Sequence, residues 1–257
     1  MGALKSTSAG HTLILTLSNP ELKNALGPEM YAAGIEALNA AENSVDIRSV
    51  IIAGEGPMFC AGGNLQRLQA NRREAPEVQA QSIEGLHNWI ESIRTYPKPV
   101  IAAVEGAASG AGFSLALACD FCVAADNAVF VMSYSSVGLS PDGGASWIAR
   151  ALPRPLASEL LMCGERISAQ RLYELGLVNR VTNAGAALTE ALALAERLNA
   201  RAPNTLASIK ELINDAASNT LSQQLANERD HFIRNFHNAN GGEGIEAFLE
   251  KRTPRYR

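Results

Sequence analysis

Apolar residues recur along the chain with two periods, and the switches between them lay out the expected elements. Residues 11–17 alternate polar and branched apolar positions, as a half-buried strand does. Asn19-Pro20-Glu21 forms a turn. Gly27-Pro28-Glu29 then opens a helix to about residue 42, with Met30, Ile35 and Leu38 on one face. Residues 48–53 are a short buried strand, and 65–70 a short helix. Residues 71–79 are polar and expected to be mobile. The stripe Ile83, Leu86, Ile90, Ile93 predicts a helix over 82–93, which Pro97 and Pro99 end. A buried strand over 99–104, a small-residue loop over 106–112 and a buried helix over 113–118 follow. Strands are expected at 121–124 and 129–132, then a loop over 138–144. Helices at 145–151, 156–162 and 168–175 precede a strand at 178–181. From residue 186 the pattern is helical, with breaks at Pro203 and at Asn240-Gly241-Gly242. Strands alternating with helices imply an α/β class.

Composition narrows the class further. The chain has 257 residues, with 22 Lys+Arg against 26 Asp+Glu for a net charge of −4, and 47% hydrophobic residues. That length suits one large domain with a sizeable core, or a core with an appendage. The slight acidic excess argues against a nucleic-acid binder, and ordinary apolar content argues against disorder. Four cysteines, Cys60, Cys119, Cys122 and Cys163, do not make a disulfide framework in a chain this long. No apolar run reaches the length of a membrane span. The first residues lack the long apolar stretch and cleavage site of a signal peptide, so a cytoplasmic protein is the expectation.

Two small-residue loops carry the candidate chemistry. Each lies between a buried strand and a helix: 60–64 (Cys-Ala-Gly-Gly-Asn) and 109–113 (Ser-Gly-Ala-Gly-Phe). The first N–H groups of a helix have no intrahelical partner. Without bulky side chains a ligand can approach those donors closely. Two such N–H groups facing one point make an oxyanion hole. Tight strand–helix packing would use the same small residues.

In wording and order these segments resemble the crotonase superfamily, the enoyl-CoA hydratase/isomerase family. Residues 17–26 (Leu-Ser-Asn-Pro-Glu-Leu-Lys-Asn-Ala-Leu) are similar to its N-terminal signature, and 59–65 (Phe-Cys-Ala-Gly-Gly-Asn-Leu) to its first oxyanion loop, with Asn64 where Asp is usual. Residues 97–106 lead into Gly110-Ala111-Gly112, which resembles the second loop, and 248–252 resemble the C-terminal signature. The resemblance implies a crotonase (ClpP/crotonase-like) spiral of repeated β-β-α units over 1–195, with a helical oligomerisation region over 196–257. It implies a homotrimer or dimer of trimers, an acyl-CoA thioester substrate, no metal, and no cofactor beyond the CoA carried by that substrate. The implied oxyanion donors are the N–H groups of Gly63 and Ala111. Lys23, Ala61 and Lys251 fall where relatives meet CoA.

The resemblance also indicates which reaction to expect. A hydratase of this family uses two Glu to activate a water. The matching positions here are Ser114 and Tyr134, and neither side chain readily replaces a carboxylate base at neutral pH. A carboxylate stands instead at Asp142, where isomerase members carry their base. One carboxylate suffices to take a proton at one carbon and return it at another. Leu139 and Trp147 are expected to bury it, and Leu65 to help line the pocket. An Asp before Gly-Gly also fits an ordinary turn.

His87 gives a rival reading, because dehalogenase members place a general base there and use the matching Asp as nucleophile. A hydratase with another way to activate water, a thioester hydrolase and a non-catalytic acyl-CoA-binding scaffold are the remaining alternatives. Gly112-Phe113-Ser114-Leu115-Ala116 imitates a nucleophile elbow, but the order His87, Ser114, Asp142 does not match that fold. Gly110-Ala111-Gly112 lacks the third Gly of a dinucleotide loop. Cys119 and Cys122 form a lone C-x-x-C without the second pair a zinc site needs. His231 and His237 fall on different helix faces. Leu212, Ile213, Leu221, Leu225, Phe232, Phe236 and Phe248 supply more apolar surface than a helical tail can bury on itself, so they are expected to meet the core and a neighbouring subunit.

Overall fold

A computed structural model describes residues 2–257. The chain opens with a hairpin, β1 (Ala3–Ala9) and β2 (Thr12–Ser18), paired antiparallel from Ala3↔Ser18 to Ala9↔Thr12. Gly10 makes the tight turn at φ +55°, a conformation that glycine adopts without steric cost. The hairpin's first strand is polar and exposed, so it lacks the apolar alternation that marks β2. The helix α1 (Pro28–Glu42) leads to β3 (Ser49–Gly54), then α2 (Leu65–Asn71) and α3 (Pro76–Thr95) to β4 (Val100–Val104). Next come β5 (Ala107–Ser109), α4 (Ala111–Ala118), β6 (Phe121–Ala125) and β7 (Val129–Val131). The remaining elements are α5 (Ile148–Ala151), α6 (Arg154–Ser158), β8 (Arg166–Ser168), α7 (Ala169–Glu174), β9 (Arg180–Thr182), α8 (Ala187–Asn199), α9 (Pro203–Asp215), α10 (Leu221–Phe236) and α11 (Ala239–Leu249).

The main sheet has the order β1-β2-β3-β4-β6-β9, parallel throughout except for the hairpin; a second sheet has the order β5-β7-β8. Parallel strands covered on both faces read as unbroken apolar runs, which is the pattern of β3, β4 and β6. One face packs against α1, α3 and α4; Ile51, Ile101 and Val123 on the other meet Ala187, Ala191, Leu194 and Ala195 of α8. β2 is therefore an inner strand, almost wholly buried, rather than the half-buried strand its alternation predicts. Its polar positions are satisfied inside: the Thr12 hydroxyl lies 3.0 Å from Ser49 Oγ and accepts from Asn199 Nδ2.

Three further expectations change. Residues 76–79 belong to α3, which starts with Pro76 in its first turn and buries Trp89 as well as Leu86 and Ile93. The stretch 156–162 is split between α6 and a wide π turn over Glu159–Cys163. Asn240-Gly241-Gly242 is no break; the interruption falls at His237 and Asn238, and α11 runs through all three residues. Asn240 is buried and donates to Asn204, and a Cβ at Gly241 would strike the Asn235 carbonyl, so the small residues let α11 close on α10.

The C-terminal helices are tied to the core by one buried cation. Lys210 of α9 donates to Asp120 Oδ2 at 2.7 Å and to the carbonyl of Ile93 at 2.8 Å. Burial pushes the Lys210 ammonium down and the Asp120 carboxyl up from their ordinary ranges, each opposed by the other's charge. Residue 195 lies inside α8, which packs on the main sheet to Asn199, so the helical appendage begins with α9. No helix among the described residues is long and apolar enough to cross a membrane.

The α1–α3 contact depends on Gly34. A Cβ there would overlap the indole of Trp89, which is fully buried. Gly34→Ala is expected to lower stability by about 1–3 kcal/mol, despite alanine's better helix propensity. Urea unfolding measures it, and an unchanged midpoint would show that the helices part freely.

Candidate functional site

The two small-residue loops lie against each other. After β3 the chain doubles back, and Phe59 N–H donates to the Glu105 carbonyl at 2.7 Å. Cys60 N–H donates to Ala107 O at 3.0 Å, and Ser109 N–H to Cys60 O at 2.9 Å, so the first loop pairs with β5. The contact leaves no room for side chains. A Cβ on Gly62, at φ +91°, would sit 2.6 Å from the Ser109 carbonyl; one on Gly112 would sit 2.7 Å from Cys60 Cβ. Only glycine fits at either place.

The N–H groups along the first loop divide into engaged and free. Cys60 N–H is taken by β5, Ala61 N–H by the Lys23 carbonyl at 2.9 Å, and Gly62 N–H by the Cys60 sulfur at 3.3 Å. Among the described residues, Gly63 N–H has no partner. Ala111 begins α4, so its N–H has no intrahelical acceptor, and it too is unpartnered. A Cβ on Gly62 would lie only 3.5 Å from Ala111 N, which places the second donor directly beside the first loop. Asn64 caps α2 by accepting from Arg67 N–H at 3.1 Å. Asn serves this role as well as Asp, so the departure at 64 keeps the loop's exit. Leu65 is exposed at the mouth of the loop.

Lys23 is exposed at the rim, with its carbonyl held by Ala61. The adjacent Asn24 was missed by sequence reasoning. It is wholly buried, and its amide donates to the carbonyls of Glu55 at 2.9 Å and Met58 at 2.8 Å. It fastens the 19–24 turn to the first loop. Lys251 is not brought to this place within one chain. It follows α11, and the tail beyond it returns to Arg48 at the start of β3, where Arg48 donates to the Tyr256 carbonyl. The loops leave the opposite end of that strand.

The second part of the site gathers Ser114, Tyr134 and Asp142. Tyr134 Oη donates to Asp142 Oδ1 at 2.7 Å. Ser114 Oγ, from α4, lies 3.3 Å from Tyr134 Oη and 3.3 Å from the Asp142 carbonyl. Burial, with the Asp142 charge adding to it, pushes the Tyr134 phenol well above its ordinary range, so it stays protonated and donates. Asp142 is partly buried, while the two residues expected to cover it are themselves half exposed. Leu139 is 50% exposed and Trp147 53% exposed in the single chain. The Trp147 ring lies between the guanidinium groups of Arg94, at 5.5 Å, and Arg150, at 5.1 Å. It faces a cavity of ≈ 820 Å³ that Ser114, His87 and Gly143 also line.

His87 turns its Nε2 to the backbone N–H of Gly143, at 3.3 Å. Ser114 Oγ bonds to Tyr134 and to backbone carbonyls, with no hydrogen bond to His87. The nucleophile–base pair of a Ser/His/Asp hydrolase is therefore not assembled. Tyr31 and Arg67 are a further pair that sequence reasoning did not single out. Burial raises the Tyr31 phenol, its hydrogen bond to the Arg67 cation opposes the rise, and the Asp142 charge adds a smaller upward push. An aromatic hydroxyl on an otherwise apolar helix face was the signal available for Tyr31. Arg67 had none, because its α2 is short and mostly polar. Cys119 and Cys122 are buried thiols; burial pushes Cys122 up to about 12. Among the described residues no group of His, Cys, Asp and Glu could hold a metal ion.

Comparison with known proteins gives a consistent family and divergent names. The family model described as enoyl-CoA hydratase/isomerase matches residues 8–257. The chain is 37% identical to a 1,2-epoxyphenylacetyl-CoA isomerase of Escherichia coli K12, over 95% of this chain and 94% of the relative. It is 33% identical to a 2,3-dehydroadipyl-CoA hydratase of the same organism, again over 95% and 94%. A crystal structure of an enoyl-CoA hydratase from Polaromonas sp. JS666 superposes with a TM-score of 0.99, at 82% identity and full coverage of both chains. The fold is thereby the crotonase spiral. Given the loop contact, Gly62→Ala is expected to part the loops and lower turnover of a CoA thioester by about 100-fold, with far-UV circular dichroism unchanged. Wild-type turnover would show that the loops need not touch.

Proposed function

Because the chain belongs to the enoyl-CoA hydratase/isomerase family, we propose that it isomerises acyl-CoA thioesters through an enolate, with Asp142 as the single proton-carrying carboxylate. The observation that carries this reading is the Ser114–Tyr134–Asp142 cluster. The two positions that would hold a hydratase's glutamates bear hydroxyls that lie 3.3 Å apart, and of these Tyr134 donates to the cluster's one carboxylate, Asp142.

The chemistry follows from the two halves of the site. The thioester oxygen sits between Gly63 N–H and Ala111 N–H, whose fixed dipoles stabilise the negative charge that grows there as the enolate forms. With a 3-enoyl thioester, the Asp142 carboxylate removes a proton from C2. The C2–H electron pair delocalises into the thioester carbonyl as a dienolate. The same carboxyl returns the proton to C4, and the double bond moves to C2–C3. Nothing is oxidised or reduced, so the scheme calls on no redox cofactor or metal, and CoA arrives as part of the substrate. Lys23, at the rim of the first loop, is the cation offered to the CoA phosphates.

A hydratase is the second reading, favoured by the names of the relatives and of the Polaromonas structure. Against it stands the cluster, in which no second carboxylate is paired with Asp142 to activate a water. The dehalogenase and hydrolase readings need His87 as a free base, whereas its Nε2 accepts from Gly143 N–H. The assembly proposed is a trimer or dimer of trimers. It is supported by the exposed apolar residues Leu221, Leu225, Phe232, Phe236 and Phe248 on α10 and α11, a patch that an isolated chain would leave in water.

Asp142→Asn tests the proposal. Isomerisation of 3-hexenoyl-CoA, followed as the conjugated product forms, is expected to fall about 10²–10⁴-fold, with CoA-ester binding by calorimetry retained. Retained turnover would remove Asp142 from the mechanism. A wild-type protein that binds the ester without converting it would favour the scaffold reading.

A further inference from the structure

A carboxylate that shuttles a proton must present one chosen oxygen to the substrate, and it must be ionised when the substrate arrives. Asp142 lies between Pro141 and two glycines at positive φ, Gly143 at +59° and Gly144 at +78°. That backbone fixes the loop's path but leaves the carboxyl free to rotate. Among the described residues, one side-chain group engages the carboxylate, the Tyr134 phenol on Oδ1, and Oδ2 has no partner.

Tyr134 is well built to hold that oxygen. The residue is buried, at 9% exposure. Its own carbonyl accepts from Val137 N–H at 3.1 Å and Leu139 N–H at 3.0 Å, which pins the base of the side chain. At the tip, Ser114 Oγ at 3.3 Å can donate to Oη, which directs the phenol hydrogen toward Asp142. The 2.7 Å separation is that of a charge-assisted O–H···O⁻ bond, which is stronger than its neutral counterpart.

We propose that Tyr134 is a positioning residue for Asp142, holding Oδ1 with its O–H so that Oδ2 is the oxygen that removes and returns the substrate proton. This inference rests on the isomerase reading above. In the forward step the C2 proton passes to Oδ2, and the Tyr134 hydrogen stays on the phenol oxygen throughout. Raising of the phenol by burial supports this, since a group that never ionises near neutrality donates at every working pH.

The other polar groups around the cluster are identified and separable. Ser114 comes from α4. From α3, His87 accepts from Gly143 N–H. Tyr31 of α1 and Arg67 of α2 feel each other, and Tyr31 feels the Asp142 charge. Of these groups only Ser114 touches the phenol oxygen, at 3.3 Å; Tyr134→Phe removes that oxygen and leaves the ring.

The test compares wild type, Tyr134→Phe, Ser114→Ala and Asp142→Asn in two assays between about pH 5 and pH 9. One is isomerisation of 3-hexenoyl-CoA; the other is deuterium uptake from D₂O at C2 of butyryl-CoA, read by mass spectrometry. Tyr134→Phe is expected to lower kcat about 10–100-fold in both, with KM changed by less than about threefold. Ser114→Ala is expected to lower kcat in the same way by a smaller factor. A Tyr134→Phe enzyme with wild-type kcat overturns the inference. So does one whose KM alone rises, since that marks a residue that only shapes the pocket. If Asp142→Asn keeps its activity in both assays, the isomerase reading itself has failed, a result distinct from either of these.

Discussion

Two stretches of backbone touch where no side chain could stand between them, and the rest of the site is arranged around that contact. The first loop pairs with β5 through Cys60, and Gly62 and Gly112 bring main chain against main chain. Each loop ends in a helix, so each contributes an N–H that the helix cannot use. The sheet beneath holds the loops at the ends of adjacent parallel strands, β3 and β4, and the fully buried Asn24 fastens the rim turn to them. Donors fixed in this way need not reorganise as charge develops on a bound oxygen, which is the main advantage of a preorganised site over water.

Against that fixed pair, the acid–base half is built from few parts. Ser114 rides on α4, whose first residue carries one of the free N–H groups, so the cluster and the donors share an element. Tyr134 and Asp142 lie on the segment between β7 and α5 and meet through a short hydrogen bond. The arrangement replaces a pair of carboxylates that would repel one another with a neutral donor and a single charge. On the isomerase reading, this gives up the second group needed to activate water and keeps the one group needed to move a proton between carbons.

The legible parts of the sequence were those written in backbone terms. Gly-Gly at 62–63 and Gly-Ala-Gly at 110–112 announced loops where backbone comes close to backbone, and the apolar runs of β3, β4 and β6 announced a sheet covered on both faces. Hidden parts depended on partners distant in the chain. The strand β1 is polar because it lies at the edge of the sheet, so only its pairing with β2 defines it. The three-residue strands β5 and β8 are too short for any period to appear. Asn240-Gly241-Gly242 read as a break because the neighbouring helix that needs the small residues is invisible in one dimension. Trp147, expected to cover Asp142, is itself half exposed, with its ring beside two arginines from different helices and facing a cavity. Lys251 resembled a CoA-binding position, yet the tail after it turns to the far end of β3. Tyr31 of α1 and Arg67 of α2 meet through packing that no local pattern encodes.

The reaction itself turns on the identity of the first product. Purified protein given 3-hexenoyl-CoA and, separately, 2-hexenoyl-CoA, with products resolved by mass, decides it. A single-carboxylate isomerase yields from the 3-enoyl ester a conjugated product of unchanged mass, and it leaves the 2-enoyl ester without an added water. Rapid formation of a 3-hydroxyacyl-CoA from the 2-enoyl ester, heavier by one water, would contradict that account and show that Ser114 and Tyr134 do not disable hydration.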